Sequence, residues 1–270
     1  MVWQVNKSSV QVMGILNVTP DSFSDGGLFH VRDAALRHVE HMLAEGVDII
    51  DVGGESTRPG ADAVSEQVEL DRVVPIIEAI RARFAVPLSV DTSKPSVMRA
   101  AVAAGADLVN DVRALQEPGA LEVCAQLAVP ICLMHMQGQP RTMQQTPLYQ
   151  DVIGDISQFF EERMMVCEQA GIARERLILD PGFGFGKTFQ HNVDLLRRLG
   201  EFSALNLPIL VGLSRKSVIG GLLDNRPVEG RLHGSVAAAV VAAMKGASIV
   251  RVHDVGATVD AMRLVNAVVG

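Results

Sequence analysis

Hydrophobic residues along this chain gather into eight short runs, and each run ends on polar, charged or glycine-rich residues. The runs are VMGILN to Asn17, DIIDVGGES around Asp51, LSVDTS around Asp91, LVNDV around Asn110, ICLMHM around His135, LILDPGFG around Asp180, ILVGLSRK to Lys216, and IVRVHDV with Arg251 and His253. Each has the length of a buried parallel strand. Between most of them the apolar period changes to that of a helix. Residues 31–45 put Ala35, Val39, Met42 and Leu43 on one face and stop at Gly46. Residues 65–84 start from Ser65 as N-cap and carry the stripe Leu70, Val73, Ile77, Ile80, Phe84, with Pro75 predicting a kink or a late start. Ser93 is expected to cap the next helix, with Pro95 in its first turn and Gly105 past its end. A longer helix is predicted over 150–170, an almost wholly small and apolar one (SVAAAVVAAM) over 231–246, and a last one over 257–269.

Strand, polar loop and helix in alternation predict a (β/α)8 TIM barrel, an α/β fold whose active face lies at the carboxyl ends of the strands. The 270 residues suit a single domain over 1–270, since such barrels take about 250. The run endings are then the list of candidate site residues. Two connections, VTPDSFSDGGLFHV and GGESTRPGADAV, exceed the roughly 2–6 residues usual between strand and helix and read as binding loops or lids on that face.

Composition narrows the classes. Aromatic residues are only 4% against 48% hydrophobic overall, so the core is aliphatic. A net charge of -7 without a basic stripe leaves no nucleic-acid partner to expect. No apolar run approaches the ~18 residues that span a membrane, and the N-terminus has no apolar targeting region, so a cytoplasmic protein without membrane attachment is expected. Cys124, Cys132 and Cys167 never form Cys-x-x-Cys and fit reduced, buried thiols rather than nucleophiles.

Among the candidates, Asp180 is a strand-end carboxylate that must find donors. It suits a ligand with adjacent N–H groups, such as an aminopyrimidinone, or else the backbone of its own loop. With Asp91 and Asn110 it puts three acceptor side chains at one mouth. PGFGFGKT (181–188) resembles a phosphate loop, but Pro181 stands where the leading glycine belongs. The glycines fit better as a way for backbone and Phe185 to approach a flat ligand. Arg58, Arg215, Lys216, Arg251 and His253 focus positive charge in an acidic protein and imply an anionic, phosphorylated substrate, with loop-end ion pairing the better reading for Arg215. As strand-end charges, Lys216 and Arg251 are expected to carry little folding energy. Asn17 is a candidate Mg2+ ligand, whereas Asp21 and Asp25 serve equally well in turns. His38 and His41 read as a solvated helix face, and His135 as packing. No Ser-His-Asp or Cys-His set can be assembled from the strand ends.

The segments GILNVTPDSFSDGG (14–27), IIDVGGESTRPG (49–60), SVDTSKP (89–95), LMHMQG (133–138), DPGFGFGK (180–187), GLSRKS (212–217) and RVHDV (251–255) together resemble the dihydropteroate synthases of folate biosynthesis. The resemblance implies condensation of p-aminobenzoate with 6-hydroxymethyl-7,8-dihydropterin pyrophosphate by an SN1-like substitution, with Mg2+ as cofactor. It places Asp91, Asn110, Asp180 and Lys216 around the pterin, with Met134 packed on the ring. Arg251, His253 and Asn17 meet the pyrophosphate and its metal. Thr57, Arg58, Pro59, Phe185, Ser214 and Lys216, with Phe23, shape the p-aminobenzoate and sulfonamide site. Lys216, Arg251 and Asp91 are the residues expected to act in catalysis. A homodimer is expected through the apolar helix 231–246. A pterin-dependent methyltransferase domain would not need the SRK motif or the long loops, and a noncatalytic pterin-binding barrel would not need residues for a second substrate. Residues 1–10 and 223–231 carry no signature.

Overall fold

A computed structural model of the chain describes residues 3–5, 9–19, 28–56, 64–138, 143 and 147–269. Eight strands, β1 (Gln11–Asn17), β2 (Ile49–Gly53), β3 (Leu88–Asp91), β4 (Leu108–Asp111), β5 (Ile131–Met134), β6 (Leu177–Asp180), β7 (Leu210–Val211) and β8 (Ile249–Val252), lie side by side in the order β6-β5-β4-β3-β2-β1-β8-β7. All pair in parallel, and a parallel bridge between Leu179 and Ile209 links the two edges, with the Leu179 N–H donating to Pro208 O at 2.9 Å. The predicted (β/α)8 barrel is therefore the fold.

Strand register decides which side chains enter the barrel. Met13 pairs with Ile49, Ile15 with Asp51 and Asn17 with Gly53, and the same parity continues around the ring. Met13, Ile49, Leu108, Cys132, Ile178, Leu210 and Ile249 form a closed apolar layer at the amino ends of the strands, and Trp3 and Val5 pack beneath it. The N-terminal segment, silent in the sequence, supplies that floor. One pleat further along the same strands the inward positions become Asp51, Asn110, Met134, Asp180, Gly212 and Arg251. Side chains of opposite parity, such as Val12, Ile50, Val90 and Val250, meet the helices in the main core.

The helices are α1 (Leu28–Ala44), α2 (Glu66–Arg81), α3 (Pro95–Ala103), α4 (Ala120–Gln126), α5 (Val152–Gln169), α6 (Phe189–Arg197), α7 (Ser217–Leu222), α8 (Leu232–Met244) and α9 (Val255–Val269). Gly46, Gly105 and Gly171 end α1, α3 and α5 with φ of 92°, 115° and 87°, the left-handed region glycine enters without cost. Ser65 caps α2 as expected, its Oγ accepting the Val68 N–H at 3.3 Å. The helix starts at Glu66 and continues through Pro75, so the late start did not occur. Burial of Val73, Ile76, Ile77 and Ile80 offsets the one missing backbone donor.

Ser93 does not cap α3. The N-cap is Lys94, and the Ser93 hydroxyl donates to Asp111 at 2.5 Å instead. A fully buried carboxylate demands donors more strongly than a helix that begins on proline, whose first residue has no N–H to satisfy. Among the described residues no helix is long and apolar enough to cross a membrane.

Candidate active site

The inward second layer opens at the carboxyl mouth of the barrel. Arg251 on β8 reaches across it, Nε donating to Asp51 Oδ2 at 2.6 Å and Nη2 to Asp91 Oδ2 at 2.7 Å. The Asn110 amide donates to the same Asp51 oxygen at 3.2 Å. Asp51 is thus the hub of the mouth, fully buried, with Oδ1 left without a hydrogen bond. Burial pushes the Asp91 carboxyl up to about 7 against the pull of Arg251. For Arg251 burial is outweighed by its two carboxylates, which raise it above its ordinary value, so it stays a fixed cation.

Asp180 closes β6. Its Oδ1 accepts the Gly182 N–H at 2.8 Å, and its other oxygen takes no hydrogen bond among the described residues. The reading of this carboxylate as an acceptor for its own loop therefore holds for one of its two oxygens. Burial raises its pKa, opposed mainly by Lys216. Met134 lies beside it in register. Lys216 donates to the Phe183 carbonyl and stands 4.6 Å over the Phe185 ring. Burial draws its pKa down to about 8, with Asp180 holding it up.

The glycines of the β6–α6 loop take φ of 67°, 80° and 60° at Gly182, Gly184 and Gly186. A Cβ on Gly182 would come within 1.9 Å of the His135 carbonyl, so only glycine fits. Lys187 does not reach outward as a phosphate-loop lysine would. It is 2% exposed, donates to Gly182 O at 2.9 Å and Phe185 O at 3.1 Å, and sits 3.0 Å from His135 Nδ1. Burial and Lys187 together hold His135 down to about 2, which leaves a neutral ring whose lone pair can accept. His135 is thus a loop anchor as well as packing.

On the other side of the mouth, Ser214 stands 3.1 Å from both the backbone N and the Nδ1 of His253, joining the β7 and β8 ends. Arg215 pairs with Asp254, as anticipated for a loop-end ion pair. Gly53 lies between the Asn17 and Asp91 side chains, where a Cβ would stand 3.6 Å from both Asn17 Oδ1 and Asp91 Cβ. His38 and His41 are exposed on α1. The three cysteines are buried and free, and burial pushes Cys124 up to about 12 and Cys167 to about 11, far from thiolate chemistry.

Asp91, Asn110, Met134, Asp180, Phe185, Ser214, Lys216, Arg251, His253 and Asn17 therefore all stand at strand ends or loops of one mouth. Phe23, Thr57, Arg58 and Pro59, with Asp21 and Asp25, lie outside the described residues. The sequence names Asp51 as a run ending but assigns it no role, and offers Lys187 none beyond the rejected phosphate loop. Asp51 shares inward parity with Ile49, a signal that register alone would have exposed. Lys187 had none, because nothing local marks a lysine as buried.

A parallel barrel whose acceptors and cations converge at the carboxyl mouth has the form of a barrel enzyme, and the chain matches the pterin binding enzyme family over residues 13–253. It is 59% identical over 260 residues to the dihydropteroate synthase of Escherichia coli (strain K12), covering 96% of this chain and 92% of that protein. Two solved structures are similar over 97% of the chain. One is Yersinia pestis dihydropteroate synthase with a sulfonamide drug complex, at TM-score 0.92, 59% identity and 95% of that chain. The other is Xanthomonas albilineans dihydropteroate synthase with 7,8-dihydropteroate, at 0.86, 46% and 94%. The chain belongs to the dihydropteroate synthase family, and is thereby a transferase of folate biosynthesis.

Proposed function

We propose that this barrel condenses p-aminobenzoate with 6-hydroxymethyl-7,8-dihydropterin pyrophosphate by a dissociative substitution. The observation that supports it most is Asp180, a buried carboxylate with one committed and one open oxygen, with Met134 beside it in register and Lys216 close enough to act on its charge. Such an oxygen accepts the paired N–H groups of an aminopyrimidinone edge. Asp51 accepts the Asn110 N–H and leaves the amide oxygen as a further acceptor. The bond from the exocyclic methylene to oxygen breaks with its electron pair passing to pyrophosphate, and the ring conjugates with the carbon left behind. The arylamine nitrogen then forms the new bond and loses a proton. Arg251 and His253, at the β8 end, stabilise the departing polyanion, and Lys216 keeps positive charge beside the pterin.

Among the described residues no three of His, Cys, Asp and Glu could hold a metal. Mg2+ needs few protein ligands when phosphate and water fill the rest, and the neutral hard oxygen of Asn17 fits that role. The ion would share the charge of the leaving group. Thr57, Arg58, Pro59 and Phe23, with Phe185 and Ser214, form the p-aminobenzoate side in this reading. The Xanthomonas relative's ligand, 7,8-dihydropteroate, contains both halves of such a product, which favours synthesis over a noncatalytic pterin barrel.

The working unit is a homodimer in the cytoplasm, where buried thiols stay reduced. An apolar cleft of about 210 Å³ between α6, α7 and α8, lined by Val193, Leu196, Leu222 and Val241, supports the dimer. So do Leu222 and Met244, which are 58% and 64% exposed beside it.

The test is product formation from the two substrates, with equilibrium binding of labelled p-aminobenzoate. Binding should tighten when pterin and magnesium pyrophosphate are present, a coupling of about 1–3 kcal/mol. Equal affinity in both conditions, or no product, rejects the reading.

A further inference from the structure

The connection after β2 leaves through Gly53, Gly54 and Glu55 and returns through Val64 to α2. One carboxylate serves both of its ends. Glu55 Oε1 accepts the Val64 N–H at 3.4 Å, while Oε2 accepts the ammonium of Lys94. The same ammonium donates to Glu69 on α2, whose side chain is 1% exposed. Lys94 stands three residues beyond Asp91, and its backbone N–H donates to Thr92 Oγ1 at 3.2 Å. Arg72 on α2 donates to the Gly54 carbonyl at 2.8 Å. A Cβ on Gly54 would fall 2.6 Å from Val73 Cγ2 and 3.1 Å from Glu69 Cγ, so this stem lies flat on the helix.

The arrangement is an expensive way to pack a helix. Glu69 is buried with Val73, Ile76 and Ile77 nearby on α2, and its Oε1 has no partner. A well-packed apolar side chain would serve stability at least as well as a buried ion pair. What the charges add is geometry. They fix the stem of one connection against the strand end that carries Asp91, with little freedom to slide.

We propose that Glu55, Lys94 and Glu69 are positioning residues for the second substrate. They hold the stem of the connection bearing Thr57, Arg58 and Pro59 at a set place relative to Asp91, so that p-aminobenzoate meets the pterin half in register. The proposal rests on the reading of those three residues as the p-aminobenzoate side.

The experiment is steady-state kinetics of Glu55→Ala, Glu55→Gln and the double variant Lys94→Met/Glu69→Gln, with melting temperatures and calorimetric pterin pyrophosphate binding. The double variant removes the Lys94 and Glu69 charges together, so that the buried Glu69 carboxylate is not stranded and only the part-exposed Glu55 loses its cation. Glu55→Ala and the double variant should raise KM for p-aminobenzoate about tenfold, with pterin affinity held within about twofold. Glu55→Gln, which keeps an acceptor for Val64, should fall between wild type and Glu55→Ala. A p-aminobenzoate KM at the wild-type value in both altered proteins overturns the proposal. So does a parallel loss of pterin binding with a lowered melting temperature, which marks a structural role. Arg58→Ala tests the underlying reading by itself: a wild-type KM for p-aminobenzoate in that variant removes the reading, and the proposal falls with it.

Discussion

Two layers of the same barrel, one pleat apart, follow opposite rules. The floor, with Met13, Ile49, Leu108, Cys132, Ile178, Leu210 and Ile249, is closed, apolar and sealed by Trp3 and Val5. The layer above it, on the same strands, holds Asp51, Asn110, Asp180 and Arg251, all buried or nearly so. Buried aliphatic surface stabilises; buried carboxylates cost free energy unless each is paired. The barrel therefore stores its stability below and spends some of it above, and the boundary falls within two residues of every strand.

The sharpest way to break that comparison is at Arg251. It is the cation shared by Asp51 and Asp91, so Arg251→Ala strands two buried carboxylates and should cost about 3–5 kcal/mol of stability as well as activity. The two ion pairs argue against the expectation that this strand-end arginine carries little folding energy. Denaturant titration checks it, and a wild-type midpoint would show that the pair is compensated by solvent. Next comes a matched pair on β6. Asp180→Ala should weaken pterin binding by about 2–5 kcal/mol with the melting temperature kept, because a ligand loses its acceptor. Ile178→Ala, one pleat below, should do the reverse, lowering stability by about 2–5 kcal/mol with pterin affinity unchanged. Calorimetry and thermal melting on both variants separate the layers, and a mixed phenotype in either would erase the boundary.

The smaller effect concerns Lys216, whose pKa is drawn by burial to about 8. Its charge is lost as pH rises through that value, so kcat/KM for the pterin substrate should fall above about pH 8. The folded pKa lies below the ordinary lysine value of 10.5. The unfolded chain therefore binds more protons between those two values, and this residue alone makes stability rise with pH across that window. Lys216→Met should remove both dependences. A flat rate profile in the wild type would show that the lysine charge is not needed.

The strand ends were readable because a buried parallel strand has no polar residue to spare until its carboxyl end. Asp91, Asn110 and Asp180 each interrupt an apolar run, and that interruption is the signal. Asp51 interrupts one too, but its role as hub depends on Arg251, two hundred positions away in the chain and just beyond β1 in the ring. Lys187 and Ser93 failed for a related reason. Ser93 satisfies the buried Asp111 eighteen positions on, and Lys187 turns inward to the carbonyls of its own loop, in preference to the role each motif suggests. α4 and α7 escaped notice because seven and six residues give the helical period too few turns to declare itself.

The floor has one more consequence. Trp3 is the only tryptophan of the chain, and it packs against the layer farthest from the substrates. Its ultraviolet emission is therefore a built-in gauge of whether the barrel is closed at the base. The signal should shift sharply to the red as the protein denatures and stay nearly still while ligands fill the mouth. Folding and occupancy can then be followed in one cuvette as two separate signals, the first from the indole and the second from the pterin's own light.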